Sequence, residues 1–262
     1  MAASDTHALY YSDELMINLQ LRYGEGLMSP GGAAELERLL GGADLAGRRG
    51  LDLGCGLGGY DELLVREHGA GHVTGVDINA TAVDHAQRRT ADAGLADRLT
   101  FLAVDAGPLP FADGAFDFAF SKDSIVDMPE KAPVLAEIHR VLAPGGRLFI
   151  SDWFRGDAPY TPEMRAWATT GDETYEMASL RATADELVAA GFVEVETEDR
   201  GDWFVEFCRD ERDRLAGALK PIYEETFGAA SAARSLANAE TRLRLAEQGQ
   251  LLTGHLRARK PR

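Results

Sequence analysis

From residue 49 onward, short apolar runs alternate with longer stretches whose apolar residues recur every three or four positions. The runs at 49–54, 72–77, 99–104, 115–120 and 146–152 are bounded by Gly, Asp or Asn and predict strands. The stretches at 59–68, 80–93 and 129–142 predict helices. A helix over 183–190 ends at Gly191 and leads into a sixth strand over 192–197. Strand and helix in alternation point to the α/β class, a mostly parallel sheet with helices on both faces.

The flanks read differently. Residues 5–28 form a helical pattern with Asp5 as a cap, broken by Tyr23-Gly24-Glu25-Gly26. Ser29-Pro30-Gly31-Gly32 then opens a second helix through Leu40. After residue 200 helices are expected over 203–220 and 222–248, interrupted at Pro221 and Gly228. The alternation from Leu251 to Ala258 reads as a closing strand. The expected organisation is one domain over 1–262. It comprises a helical lid (1–47), a core (48–200), a helical insertion (203–248) and the closing strand (250–259).

Composition narrows the functional classes. No apolar run approaches the roughly 18 residues of a membrane span. Met1 to Tyr11 lacks the basic and apolar regions of a signal peptide, and Cys55 and Cys208 are too few for a disulfide framework. A cytoplasmic, reducing setting is expected. The net charge of −16 disfavours nucleic acid and anionic membranes and suits cationic or neutral small molecules. His7, His68, His72, His85, His139 and His255 show no metal-ligand spacing, so no metal is expected. A monomer or homodimer fits this picture.

The chemistry centres on Gly50-Leu51-Asp52-Leu53-Gly54-Cys55-Gly56-Leu57-Gly58-Gly59, a strand, a glycine-dense turn and a helix start. Ligands of open α/β sheets bind at the carboxyl ends of the strands. Asp52 ends the first strand and Asp77 the second, where a carboxylate can hold two ribose hydroxyls. Asp105 follows the third and Ser121-Lys122-Asp123 the fourth. Gly54, Gly56 and Gly59 also satisfy a dinucleotide fingerprint. An acidic residue two positions before the first glycine would repel a pyrophosphate, which weighs against a nicotinamide dehydrogenase.

Together with the Pro144-Gly145-Gly146 turn, these motifs resemble the class I S-adenosylmethionine-dependent methyltransferases, which implies a Rossmann-like, seven-stranded fold. The resemblance implies cofactor contacts from Tyr11, Met28, Ser29, Asp52, Gly54, Gly56, Asp77, Ile78, Asp105, Ala106, Ser121 and Lys122. The segments Tyr11-Ser12-Asp13-Glu14, Tyr23-Gly24-Glu25-Gly26, Met28-Ser29-Pro30-Gly31-Gly32, Ser121-Lys122-Asp123-Ser124-Ile125, Ser151-Asp152-Trp153 and Asp202-Trp203 are similar to phosphoethanolamine methyltransferases. The stretch from Gly249 to Arg259 is more similar to sarcosine/dimethylglycine N-methyltransferases.

In the phosphoethanolamine enzymes a tyrosine and a histidine flank the amine. Tyr11 matches the first, whereas Asp127 stands at the histidine position. Basic phosphate-binding residues are expected after the fifth strand, yet Gly171-Asp172-Glu173-Thr174-Tyr175 is acidic. The expected acceptor is therefore a small-molecule amine without phosphate. The alternatives are a hydroxyl, thioether or carbon acceptor on the same fold, or a binding protein that catalyses nothing. Tyr11 and Asp127 are the expected catalytic acceptors of the amine proton. Asp123, Trp153, Glu173, Tyr175 and Trp203 are the expected substrate contacts, the aromatic faces favouring positive charge by about 0.5–2 kcal/mol.

Overall fold

A computed structural model describes residues 12–128, 130–170, 173–174 and 177–262. The elements run in the order α1 (Asp13–Tyr23), α2 (Gly32–Leu40), β1 (Arg49–Leu53), α3 (Gly59–Arg66), β2 (His72–Asp77), α4 (Ala80–Asp92) and β3 (Leu99–Ala103). Then follow β4 (Phe116–Lys122), a 3-10 turn (Ile125–Asp127), α5 (Lys131–Val141), β5 (Leu142–Arg155), α6 (Pro162–Trp167), β6 (Thr169–Thr170) and β7 (Glu173–Thr174). The chain closes with α7 (Leu180–Ala189), β8 (Val193–Asp199), α8 (Gly201–Ala216), α9 (Lys220–Phe227), α10 (Ala229–Glu247) and β9 (Leu251–Arg259).

The main sheet has seven strands in the order β3-β2-β1-β4-β5-β9-β8. β1 pairs in parallel with both β2 and β4, β2 with β3, and β4 with β5. This is the expected Rossmann-like arrangement. Strand order reverses between β1 and β4, so the crevice beyond their carboxyl ends is the natural ligand position. Among the described residues no helix is long and apolar enough to cross a membrane.

Two compact units make up the chain. The first takes in the described residues up to Asp152, with Ala184–Glu196 and Leu256–Arg262. Its core packs Leu36, Leu39 and Leu64 from the helices against Val73, Phe118 and Phe149 of the sheet. Gly50 is required within β1, because a β-carbon there would run into the Phe118 ring. Tyr60 ties the N-terminal segment down: its hydroxyl donates to the Pro30 carbonyl at 2.9 Å and accepts the Gly32 N–H at 3.1 Å.

The second unit holds Trp153–Thr183 and Thr197–His255. Its centre is a pair of charges rather than hydrocarbon alone. Glu211 of α8 is fully buried and paired with Arg242 of α10. The Arg242 guanidinium lies 5.7 Å from the centre of the Trp153 ring, and burial pushes the nearby Cys208 thiol up to about 11.

Several expected boundaries shift for physical reasons. The first helix ends at Tyr23, where Gly24 leaves helical geometry with φ of 111°; the Asp5 cap lies outside the described residues. β5 begins at Leu142 rather than 146. Gly145 within it is not lost to a turn, because its N–H bonds the Lys260 and Pro261 carbonyls at 3.0 and 3.2 Å. The break expected at Pro221 falls instead at Gly217, which is far from helical at φ −119°, ψ −99°. Pro221 sits in the first turn of α9, where its missing N–H is tolerated. The elements α6, β6 and β7 were not expected.

Replacing Arg242 with Met leaves the buried Glu211 carboxylate without its guanidinium. The expected loss is about 3–5 kcal/mol, read as a lowered midpoint in chemical denaturation. Combining it with Glu211→Leu should recover most of that loss.

Candidate active site

The turn after β1 is held from below by the sheet. The N–H groups of Gly54 and Cys55 donate to the Val76 carbonyl at 2.8 and 3.1 Å. Gly54 and Gly56 take positive φ, 81° and 52°, and both faces of the turn are filled. A β-carbon on Gly54 would collide with the Ser124 hydroxyl, and one on Gly56 would lie 2.8 Å from the Met28 sulfur. The Gly59 N–H donates to the Gly26 carbonyl at 3.1 Å. Met28 is thus brought against the glycine turn, and the Tyr60 hydroxyl lies 3.3 Å from the Ser29 carbonyl.

Three carboxyls surround this turn. Asp77 accepts the Gly56 N–H at 2.9 Å through one oxygen and the Asn79 N–H at 2.9 Å through the other. Burial nevertheless raises its pKa, and those backbone bonds offset the shift only in part. Asp52 is buried at the end of β1 and faces Asp61 of α3, which is fully enclosed. Burial, then repulsion from Asp61, pushes Asp52 well above the usual carboxylate range. Burial raises Asp61 to about 7.

Asp61 was not among the residues expected from sequence. It reads there as an ordinary acidic residue in a helix's first turn, and only its burial distinguishes it. Tyr60 and Ser124 were missed as well. Asn79 carried a usable signal: it directly precedes a helix, and its side chain accepts the Ala82 N–H at 3.1 Å as an N-cap.

The end of β4 adds the only buried lysine among the described residues. Lys122 Nζ donates to Ser151 Oγ at 3.1 Å and to Asp123 at 3.4 Å, and it lies 5.6 Å from the centre of the Tyr60 ring. Burial alone would lower its pKa; the Asp123 carboxylate outweighs that and holds the ammonium above its ordinary value. Asp123 is held in the left-handed region at φ 50°, unusual for a residue with a β-carbon. Ser121 Oγ donates to the Leu53 carbonyl at 2.9 Å, tying β4 to β1. Asp127 is exposed in the 3-10 turn. That turn is fixed by Asp152, which accepts the Val126 N–H at 2.8 Å.

Ile78 is 46% exposed, and Asp105 and Ala106 beyond β3 are exposed too. Tyr11 and Tyr175 lie outside the described residues, and Glu173 falls in β7. Trp153 and Trp203 belong to the second unit. The Trp153 ring stacks on Trp167 at 6.3 Å between centroids. Trp203 stacks on Phe207 at 5.5 Å and takes the Arg200 guanidinium at 5.7 Å.

Residues 51–150 match the family described as a methyltransferase domain. The chain is 29% identical over 206 residues to phosphoethanolamine N-methyltransferase 1 of Arabidopsis thaliana, covering 78% of this chain and 41% of that protein. It thus spans about four-tenths of the length of the first curated relatives it matches. Its fold superposes on a Haemonchus contortus phosphoethanolamine N-methyltransferase 2 bound to phosphomonomethylethanolamine and S-adenosylhomocysteine. That match has a TM-score of 0.86 and 25% identity, over 94% of this chain and 57% of that one. A sarcosine dimethylglycine methyltransferase from Galdieria sulphuraria, named as putative, matches with a TM-score of 0.75 and 25% identity, over 87% and 82% of the two chains.

The Asp61 carboxyl has a thermodynamic signature. With its native pKa raised to about 7 against about 4 for a free carboxyl, the folded chain holds a proton that the unfolded chain releases. Its contribution is fully present below about pH 4 and is lost as pH rises through about 7. Urea unfolding at pH 5 and pH 8 should show this decline, and Asp61→Asn should lessen it, leaving the part due to the buried Asp52.

Proposed function

We propose, for a chain that belongs to the class I methyltransferases by its sheet order, motifs and relatives, that it moves a methyl group from S-adenosylmethionine to an amine nitrogen of a small molecule without a phosphate group. The observation that carries the acceptor reading is the charge at the end of β4. Carboxylates dominate there, and the buried Lys122 already faces Asp123 and Ser151. Such a site favours a cationic acceptor and offers a phosphate little.

The cofactor fits the residues present. When bound it supplies an electrophilic methyl on a sulfonium. Gly54 and Gly56 give the turn the positive-φ backbone it needs, and Asp77 keeps lone pairs beside the two backbone N–H groups it already accepts. The exposed Ile78 offers an apolar face for the adenine, with Asp105 and Ala106 at its edge. Asp52 suits the cationic amino-acid end.

The acceptor must present a lone pair in line with the methyl carbon. An alkylamine titrates at about 10, so exposing that lone pair at neutral pH costs about 4 kcal/mol. Tyr11 and Asp127 accept the departing proton in this reading, while Asp123 favours the ammonium form on arrival.

Incubation with a panel of amines, phosphoamines, phenols and thioethers should give methylated product from non-phosphorylated amines. Turnover confined to phosphoamines or to non-amines would overturn the acceptor assignment. Tyr11→Phe and Asp127→Asn should each slow turnover by roughly a hundredfold with the cofactor dissociation constant nearly unchanged. Asp77→Ala should instead weaken cofactor binding by roughly tenfold to a hundredfold, measured by calorimetry.

A further inference from the structure

Asp52 and Asp61 are enclosed to 2% and 0% exposure, although they border a turn built to receive a ligand. They face each other within hydrogen-bonding reach. Asp52 Oδ1 and both Asp61 oxygens are buried with no partner from the rest of the described chain beyond each other and the Asp61 N–H. Two ionised carboxylates so placed would repel each other at low dielectric with only the Asp61 N–H to offset it, so the pair retains one proton between them.

The surroundings do not provide the missing positive charge. β2 contributes the Asp77 carboxylate, and the turn contributes the Cys55 thiol, whose ionisation burial suppresses. α3 contributes the Tyr60 phenol, which burial keeps neutral. At the end of β4 the Lys122 ammonium faces Asp123 and Tyr60 rather than this pair. From α4, Arg89 is joined to Glu62. A positive charge at the pair must therefore come from a ligand, and the amino-acid end of the cofactor carries an ammonium.

We propose that Asp61 is a positioning residue for the cofactor, sharing one proton with Asp52 until the ammonium of the cofactor's amino-acid end displaces it. This rests on the adenosylmethionine reading above and deepens it. The exchange balances: a singly protonated pair and an ammonium become a doubly ionised pair holding that ammonium, with one proton released to solvent. Asp61 acts through Asp52, as the second anion that makes the proton necessary beforehand and the ammonium welcome afterwards.

Binding must then tighten as pH rises, because below the titration of the pair the ligand has to expel a proton. The probe is S-adenosylhomocysteine, which keeps the ammonium and lacks the sulfonium. Calorimetric titrations in phosphate and in Tris, whose ionisation enthalpies differ, count the protons released. At pH 6.5 release should reach about one proton per ligand, and the dissociation constant should fall up to about tenfold per pH unit before levelling above about pH 8. The analogue 5′-methylthioadenosine, with ribose and adenine but no ammonium, should bind without release, which excludes Asp77 as the source.

Asp61→Asn, which removes the repulsion on Asp52 but leaves its burial, should bind S-adenosylhomocysteine with clearly less proton release at pH 6.5 than the wild-type chain and with a shallower dependence of affinity on pH between 6 and 8.5. Binding to the wild-type chain with no proton released at pH 6.5 would overturn the proposal. Equal release with methylthioadenosine would overturn it too. If Asp61→Asn does not fold, the two wild-type measurements decide alone. Failure of S-adenosylhomocysteine to bind at any pH is a separate outcome that removes the cofactor reading and this proposal together.

Discussion

The turn after β1 has to pass between Ser124 on one side and Met28 on the other, with no room for a β-carbon at Gly54 or Gly56. That steric constraint organises the first unit. The turn can be bare only because its backbone is fastened elsewhere, to the Val76 carbonyl, to Asp77 and to the Gly26 carbonyl. Those fastenings recruit the end of β2 and the N-terminal segment to the same place. Tyr60, one residue into α3, then clamps that segment through Pro30 and Gly32.

Electrostatics divides the same region into two characters. At the end of β4 Lys122 is matched by Asp123 out of water, at the expense of a strained Asp123 backbone, while Asp127 of the following turn adds a further carboxylate. Beneath the glycine turn the charges are unmatched, with Asp52 and Asp61 side by side and Asp77 nearby. Matched charges fix a shape, whereas unmatched ones select for a cation. The second unit repeats the matched solution with Glu211 and Arg242.

Much of this was legible in the sequence because periodicity reports burial. Strands β1 to β4 announce themselves through apolar runs ending in Asp, Gly or Lys, and the glycine turn with Asp77 identifies the ligand edge. What was not legible depends on contacts distant in the chain. β5 is longer than its apolar run because Lys260 and Pro261 supply carbonyls to Gly145. Pro221 reads as a break, yet a helix can begin around it, and Gly217 alone gives no sign of ending one. Asp61 resembles every other first-turn carboxylate until α3 is packed against the end of β1. The Trp153 and Trp203 rings stand out as candidate cation-binding faces, but composition does not reveal that Arg242 and Arg200 already lie against them.

Asp77 has a further consequence. Each of its oxygens is fixed by a backbone N–H from a different loop, one from the glycine turn and one from the start of α4. The carboxylate therefore has no rotamer freedom left to surrender when hydroxyl donors arrive. Its orientational entropy was lost during folding, so an incoming ribose meets an acceptor already aimed. The same two bonds make the reverse true: whatever disturbs the spacing of β2 and the glycine turn misdirects the acceptor before any ligand is present.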